Sequence, residues 1–211
     1  MLIDGARSDS QESRLRNEPV QARSAARLSA LLDAAAEVIE EVGADRMTTA
    51  MVADRAGASI GTVYRYFPDR VAVLDGLAHR ALTRLLTRID EAFATQPEAS
   101  PQDRVDTIVD VLVEFHRREP GYRVLKLGTA VATPGPGGGD TMEQALIRAL
   151  AGGLREAATE DDDLEFRLRV TLALCEVLVH RAFDASAEGD ERLIAEAKSV
   201  GGRYLAQHPL D

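Results

Sequence analysis

Residues 48–70 read TTAMVADRAGASIGTVYRYFPDR, two short helical patterns joined by a tight turn. Thr48 is placed to cap the first pattern, because its hydroxyl can accept from the free N–H groups of a helix start. Met51, Val52 and Ala56 fall at helical spacing and face inward together. The spacing predicts a helix from Thr49 to Ala56. Gly57 ends it, since glycine takes the left-handed conformation without a Cβ penalty. Ser59 can cap a second helix over Ile60 to Tyr66. Pro68 stops that helix, and Asp69 can cap a third beginning at Arg70. Helix, glycine turn, helix is the pattern of a helix-turn-helix hairpin.

The second helix is unusual for a core element. Val63 and Phe67 point inward one turn apart. Ser59, Gly61, Thr62, Tyr64, Arg65 and Tyr66 are left for the other faces. Hydroxyls and a guanidinium on an open helix are the groups that groove and phosphate contacts require. Gly61 removes a side chain where a helix would approach a DNA backbone closely. The competing reading is a plain helical hairpin in a bundle, with Tyr64 and Tyr66 partly buried.

Working outward, a string of spaced residues resembles the DNA-binding signature of the TetR family of bacterial transcriptional regulators. It comprises Ala53–Gly57, Ser59, Gly61–Thr62–Val63–Tyr64, Tyr66–Phe67 and Leu74. Upstream it continues through Leu32–Asp33–Ala34–Ala35, Val38–Ile39 and Gly43, the first helix and its stop. The resemblance covers about a quarter of the chain and spans three successive helices. It departs from the family pattern at three places. Arg70 is the cation where the family has a lysine just beyond Phe67, Val71 stands where an acid is common, and Ala58 replaces a valine in the turn. The resemblance implies DNA contacts from Thr48, Thr49, Ser59, Gly61, Thr62, Tyr64, Arg65, Tyr66 and Arg70.

The chain has 211 residues, 45% of them hydrophobic, enough for a substantial core. A single cysteine, Cys175, excludes an intramolecular disulfide framework and fits a reducing cytoplasm. The first residues, MLIDGARSDSQESRLRNEP, lack the apolar run of a signal peptide. No stretch approaches the roughly 20 apolar residues of a membrane span. Val170 to Val179 comes nearest and is interrupted by Glu176. The net charge of −10 argues against a generally basic nucleic-acid binder. Positions 1–75 are no exception, with nine arginines against twelve acids. DNA binding therefore rests on local placement of Arg14, Arg16, Arg23, Arg27, Arg46, Arg55, Arg65 and Arg70. Glu37, Glu40 and Glu41 would then lie on faces turned from DNA.

The periodicity organises the chain as an all-α protein. Residues 1–20 read as a disordered polar arm and 21–69 as the helix-turn-helix domain, whose first helix runs from Ser24 to Val42. Residues 70–211 read as a helical ligand-binding and dimerisation domain. A long helix from Arg70 to Ala94 exceeds what a compact head needs and reads as a strut. Ser100-Pro101 opens a helix to Arg118, and Pro120-Gly121 breaks it. A short segment from Tyr122 to Val131 and the linker TPGPGGGD at 133–140 follow. Further helices are predicted over Thr141–Ala158, Asp162–Ala187 and Asp190–Ala206. Apolar residues wrap nearly all round Val170 to Val179, as in a helix buried on more than one side. In the family resembled, the last two helices of each subunit form the dimer interface. Here these are about Leu164–Phe183 and Leu193–Leu205. A twofold head pair suits a palindromic operator on double-stranded DNA.

Catalytic and metal signals are missing from the sequence. His79, His116, His180 and His208 are scattered, and neither HExxH nor CxxC occurs. The glycines 137–139 lack the lysine of a phosphate loop, and Cys175 sits in an apolar stretch like a core thiol. The expectation is a non-enzyme without cofactor or metal. By resemblance, a small effector binds in the second domain, and the few polar groups there suit an apolar or aromatic one. Candidate lining residues are Phe93, Phe115, His116, Tyr122, Met142, Leu146, Phe166, Cys175 and His180, each of which also suits core packing. The resulting expectation is a cytoplasmic, homodimeric repressor released from its operator by a small molecule, with the strut helix carrying the coupling. The alternative is a helical small-molecule-binding protein that no longer binds DNA.

Overall fold

The computed structural model describes residues 6–96, 98–123, 147 and 162–206. Among these, every regular element is a helix: α1 (Ala6–Val42), α2 (Thr49–Arg55), α3 (Ile60–Tyr66), α4 (Arg70–Ala94), α5 (Pro101–Arg118), α6 (Asp162–Ala182) and α7 (Glu191–Ala206). The chain forms two compact units, Met1–Val73 and Leu74–Asp211. The division falls a few residues inside α4 rather than at its start. The predicted linker 133–140, the helix Thr141–Ala158, and Met142 and Leu146 with it, lie outside the described residues apart from the buried helical Ile147.

In the first unit, α1 begins at Ala6 rather than Ser24, so helical backbone runs through most of the stretch read as a disordered arm. Its C-terminal half supplies the core: Leu31, Leu32, Ala35, Val38 and Ile39 are buried at spacings of three and four. Gly43 stops the helix at φ +83°, where a side chain would be strained. Met47, Val52, Ala53, Val63 and Phe67 complete the core. Thr48 accepts a hydrogen bond from the Met51 N–H at 3.2 Å, as its cap role requires. Gly57, at φ +56°, closes α2 with two bonds. The Ala58 N–H reaches the Ala53 carbonyl at 2.9 Å and the Gly57 N–H reaches Asp54 at 3.1 Å. That pair is a Schellman motif, and it sets the sharp turn into α3.

The second unit is built on α4 to α7. Leu77, Ala81, Leu82, Leu85, Ile89 and Phe93 line the buried stripe of α4. α5 opens with a capping box: the Ser100 hydroxyl accepts from the Asp103 N–H, and the Asp103 carboxylate accepts from the Ser100 N–H at 2.9 Å. Asp190 caps α7 by accepting from the Arg192 N–H at 2.8 Å. Gly201 lets α7 approach closely. A Cβ there would lie 2.6 Å from the Cys175 sulfur and 2.9 Å from a Val105 methyl. The Cys175 thiol is buried, donates to the Ala197 carbonyl at 3.4 Å, and is pushed up to about 11 by burial and then by Asp106. It is a packing thiol, with almost no thiolate at neutral pH.

Candidate nucleic-acid interface and buried ring cluster

The outward side of α3 is built by caps and ties that consume much of its polarity. Ser59 accepts from the Thr62 N–H at 3.2 Å, and the Ser59 and Thr62 hydroxyls pair at 2.9 Å. Tyr66 is half-buried, with its hydroxyl 3.2 Å from that of Ser24 on α1. Its phenol is held below the ordinary tyrosine range, first by that bond and then by the nearby Arg65 and Arg27 cations. Two guanidinium groups therefore make this end of α3 locally positive within an acidic chain. The Arg65 guanidinium also lies 5.3 Å from the Tyr66 ring centre, within cation–π range.

Tyr64 is the more open of the two tyrosines on α3, at 53% exposure. The Thr49 hydroxyl approaches its oxygen at 3.5 Å, a weak contact. Gly61 is exposed, and a Cβ there would meet only the Ser59 hydroxyl, at 3.9 Å. Nothing among the described residues therefore demands glycine at this position. An alanine would favour the helix by up to about 1 kcal/mol. Ile60 stands beside it, 42% exposed, and Met51 on α2 is 40% exposed. The exposure of Met51 corrects its placement on the inward face of α2, and Ile60 was passed over because an apolar residue in a short helix reads by default as core.

Arg70, expected at DNA, also braces the fold of the first unit. Its Nη1 donates to the carbonyls of Ala44 at 2.9 Å and Asp45 at 3.0 Å, tying the start of α4 to the turn after α1. Arg55 is likewise engaged, with Glu37 at 3.0 Å and Glu41 at 2.6 Å on α1. Those glutamates are thereby neutralised at the α1–α2 junction. Arg46 donates from Nε to the Val42 carbonyl at 2.7 Å and stays exposed.

In the second unit, part of the predicted effector set converges. His116 is buried and stacks on Phe183, with ring centres 4.8 Å apart. Tyr122 meets it edge-on at 4.9 Å, Phe115 meets Tyr122 at 5.4 Å, and His180 lies 6.0 Å from His116. The His116 Nδ1 lies 2.9 Å from the Leu112 carbonyl and donates to it, so the neutral ring keeps Nε2 unprotonated. Burial drives its pKa down to about 4, against the Leu112 bond, with His180 and Arg123 adding to the depression. The Tyr122 hydroxyl is buried without a hydrogen-bond partner among the described residues. Its pKa is raised far above the tyrosine range by burial and then by Glu176. Phe183 was missed in the sequence, although it lies one turn beyond Val179. Arg123 was also missed: it donates to the Ala187 carbonyl at 2.8 Å and lies over the Phe183 ring.

The other described residues of the predicted effector set sit elsewhere. Phe93 packs under the Arg104 guanidinium, 4.4 Å from its ring centre, and Cys175 packs against α7. Phe166 is 58% exposed, which corrects its placement in a pocket lining. Leu174 and Val177 are exposed on α6 too, at 37% and 61%, and with Phe166 they form a stripe at spacings of eight and three. A cleft of about 380 Å³ between α4 and α5 is lined by Thr83, Thr87, Phe115 and the ion pairs Arg84–Glu119 and Arg88–Glu114. Among the described residues of the predicted set, Phe115 alone lines it.

Comparison with known proteins fits this arrangement. A family model described as bacterial regulatory proteins of the tetR family matches residues 31–77, and one described as tetracyclin repressor-like C-terminal domain matches 99–209. A TetR-family transcriptional regulator from Streptomyces coelicolor is 32% identical, covering 89% of this chain and 99% of its own, with a TM-score of 0.76. A TetR regulator from Rhodococcus sp. RHA1 has the same fold at 21% identity and TM-score 0.66, covering 89% of this chain and all of its own (100%). The nucleoid occlusion factor SlmA of Haemophilus influenzae is 29% identical over 155 residues, which are 74% of this chain and 62% of that relative. The chain thus spans less than two thirds of the length of the nucleoid occlusion relative. With a capped helix-turn-helix matching one half of the family description and the α5–α7 region matching the other, the chain belongs to the TetR family of bacterial DNA-binding transcriptional regulators.

Proposed function

We propose that the chain is a homodimeric, ligand-responsive repressor that reads a palindromic operator with α3 and leaves it when an apolar or aromatic effector binds the second unit. The observation that carries the reading is the outward side of α3. Tyr64, Arg65 and the bare Gly61 are exposed there, with the Arg65 and Arg27 charges nearby. Phosphate contacts supply affinity and base contacts supply specificity. The exposed stripe of Phe166, Leu174 and Val177 supports pairing through α6 and α7.

The effector reading rests on the ring cluster. A neutral His116 and an unpartnered Tyr122 hydroxyl sit among aromatic faces. A buried hydroxyl without a partner costs about 1–3 kcal/mol, and a ligand offering an acceptor would recover part of that. Coupling then requires the effector to prefer one of two head spacings, and the shift cannot exceed its differential affinity for them. Selection of bound duplexes from a random pool, followed by titration at several salt concentrations, tests the DNA half. A repressor gives a palindromic consensus and a salt-sensitive specific complex. A helical small-molecule binder without DNA activity gives neither.

A further inference from the structure

The geometry points to Ile60 as a specificity-determining residue that reads a thymine methyl group in the operator. This inference rests on the DNA-binding reading above and extends it to one side chain and one base feature. In a helix-turn-helix, the residues at the start of the second helix lie against base edges in the major groove. Here the polar side chains of that turn are engaged within the chain. Ser59 and Thr62 pair with each other, and Ser59 also holds the Thr62 N–H. Ile60 lies between them and is 42% exposed, a β-branched apolar side chain on the same open side as Tyr64. Gly61 next to it is bare and exposed, with only the Ser59 hydroxyl near where a Cβ would stand, so the groove wall can approach. An aliphatic side chain has no donor or acceptor for a base edge. The one apolar feature in the major groove is the C5-methyl of thymine.

Replacing single thymines by deoxyuridine deletes that methyl and leaves every hydrogen-bonding group in place, which gives a direct test. The probe is the consensus duplex selected by the full-length protein, scanned one T at a time, with wild type and Ile60→Ala compared. One methyl removed from an apolar contact weakens binding about fourfold per half-site, from about 0.8 kcal/mol per carbon. The expected result is one symmetric thymine whose replacement costs wild type about fourfold and costs Ile60→Ala almost nothing. Ile60→Val, which keeps the β-branch, retains most of the sensitivity. Since Ile60 is substantially exposed, Ile60→Ala is expected to fold, and its melting temperature checks that. If wild type and Ile60→Ala respond identically at every thymine, the assignment is overturned while DNA binding stands. If no duplex gives a specific complex, the regulator reading falls, and this inference with it.

Discussion

Arg70→Ala separates two roles that the sequence alone does not distinguish. In the structure a single Nη1 is shared between the Ala44 and Asp45 carbonyls, at 2.9 and 3.0 Å. A hydrogen bond from a charged donor contributes about 1.5–3 kcal/mol. One bond is part-buried and the other exposed, and both carbonyls can turn to water after the substitution. The lower end, about 1.5 kcal/mol, is therefore expected. The loss falls on the turn that follows α1, where the Arg46 and Met47 N–H groups bond to the Gly43 carbonyl. Amide exchange there should quicken about tenfold, because 1.4 kcal/mol is a factor of ten. Operator affinity should fall modestly through the loosened turn, with its salt dependence unchanged. Arg65→Ala is the reference, since loss of one phosphate contact lowers the slope of log affinity against log salt by about 0.9. If Arg70→Ala lowers the slope by a similar amount and leaves exchange at residues 44–47 untouched, the tie is incidental and Arg70 belongs on the phosphates.

Gly61→Ala should raise the stability of the first unit by about 0.5–1 kcal/mol while weakening operator binding, because its Cβ makes no clash within the fold but meets the groove in the complex; paired melts and titrations check it. Val177→Glu places a charge at a position 61% exposed, so the folded subunit should lose under about 0.5 kcal/mol. Sedimentation should nonetheless show monomer where wild type is dimer. His116, neutral in the fold with its pKa at about 4, binds its proton more readily when unfolded, near 6.5. Its contribution is therefore complete above pH 6.5 and lost as pH falls toward 4, up to about 3 kcal/mol. Denaturation across that window should show a component that His116→Gln lacks.

Local rules made most of the elements legible. The caps Thr48, Ser59, Asp69 and Ser100 act within three residues of themselves, and all hold their helices as their side-chain chemistry dictates. Gly43 and Gly57 take the left-handed conformation that a helix stop demands. The candidate site was harder to read, because its side chains are committed by partners far along the chain. Ser24 is 42 residues from Tyr66, and Ala44 is 26 from Arg70. No periodicity encodes such pairings. The apolar wrap of α6 was visible, but its division into a buried side (Leu164, Leu168, Cys175 and Val179) and an exposed stripe depends on where α5 and α7 pack. For the same reason Phe166 was read as lining rather than surface.

The distribution of charge explains how an acidic chain can carry a DNA-reading head. Arg55 answers Glu37 and Glu41, and Arg70 answers two carbonyls, so these cations stabilise the hairpin. Among the described residues of the head, that leaves Arg65 with Arg27 near Tyr66, and the exposed Arg23 and Arg46, as positive groups for phosphates. A short list of phosphate contacts gives a shallow salt slope and weak non-specific binding. Discrimination must then come more from apolar and aromatic contacts in the groove, where Ile60 and Tyr64 are the open apolar and aromatic side chains of α3. Such a head gains selectivity by having little general attraction for DNA. Its overall negative charge acts in the same direction, because it repels duplexes that offer α3 no fitting base edges.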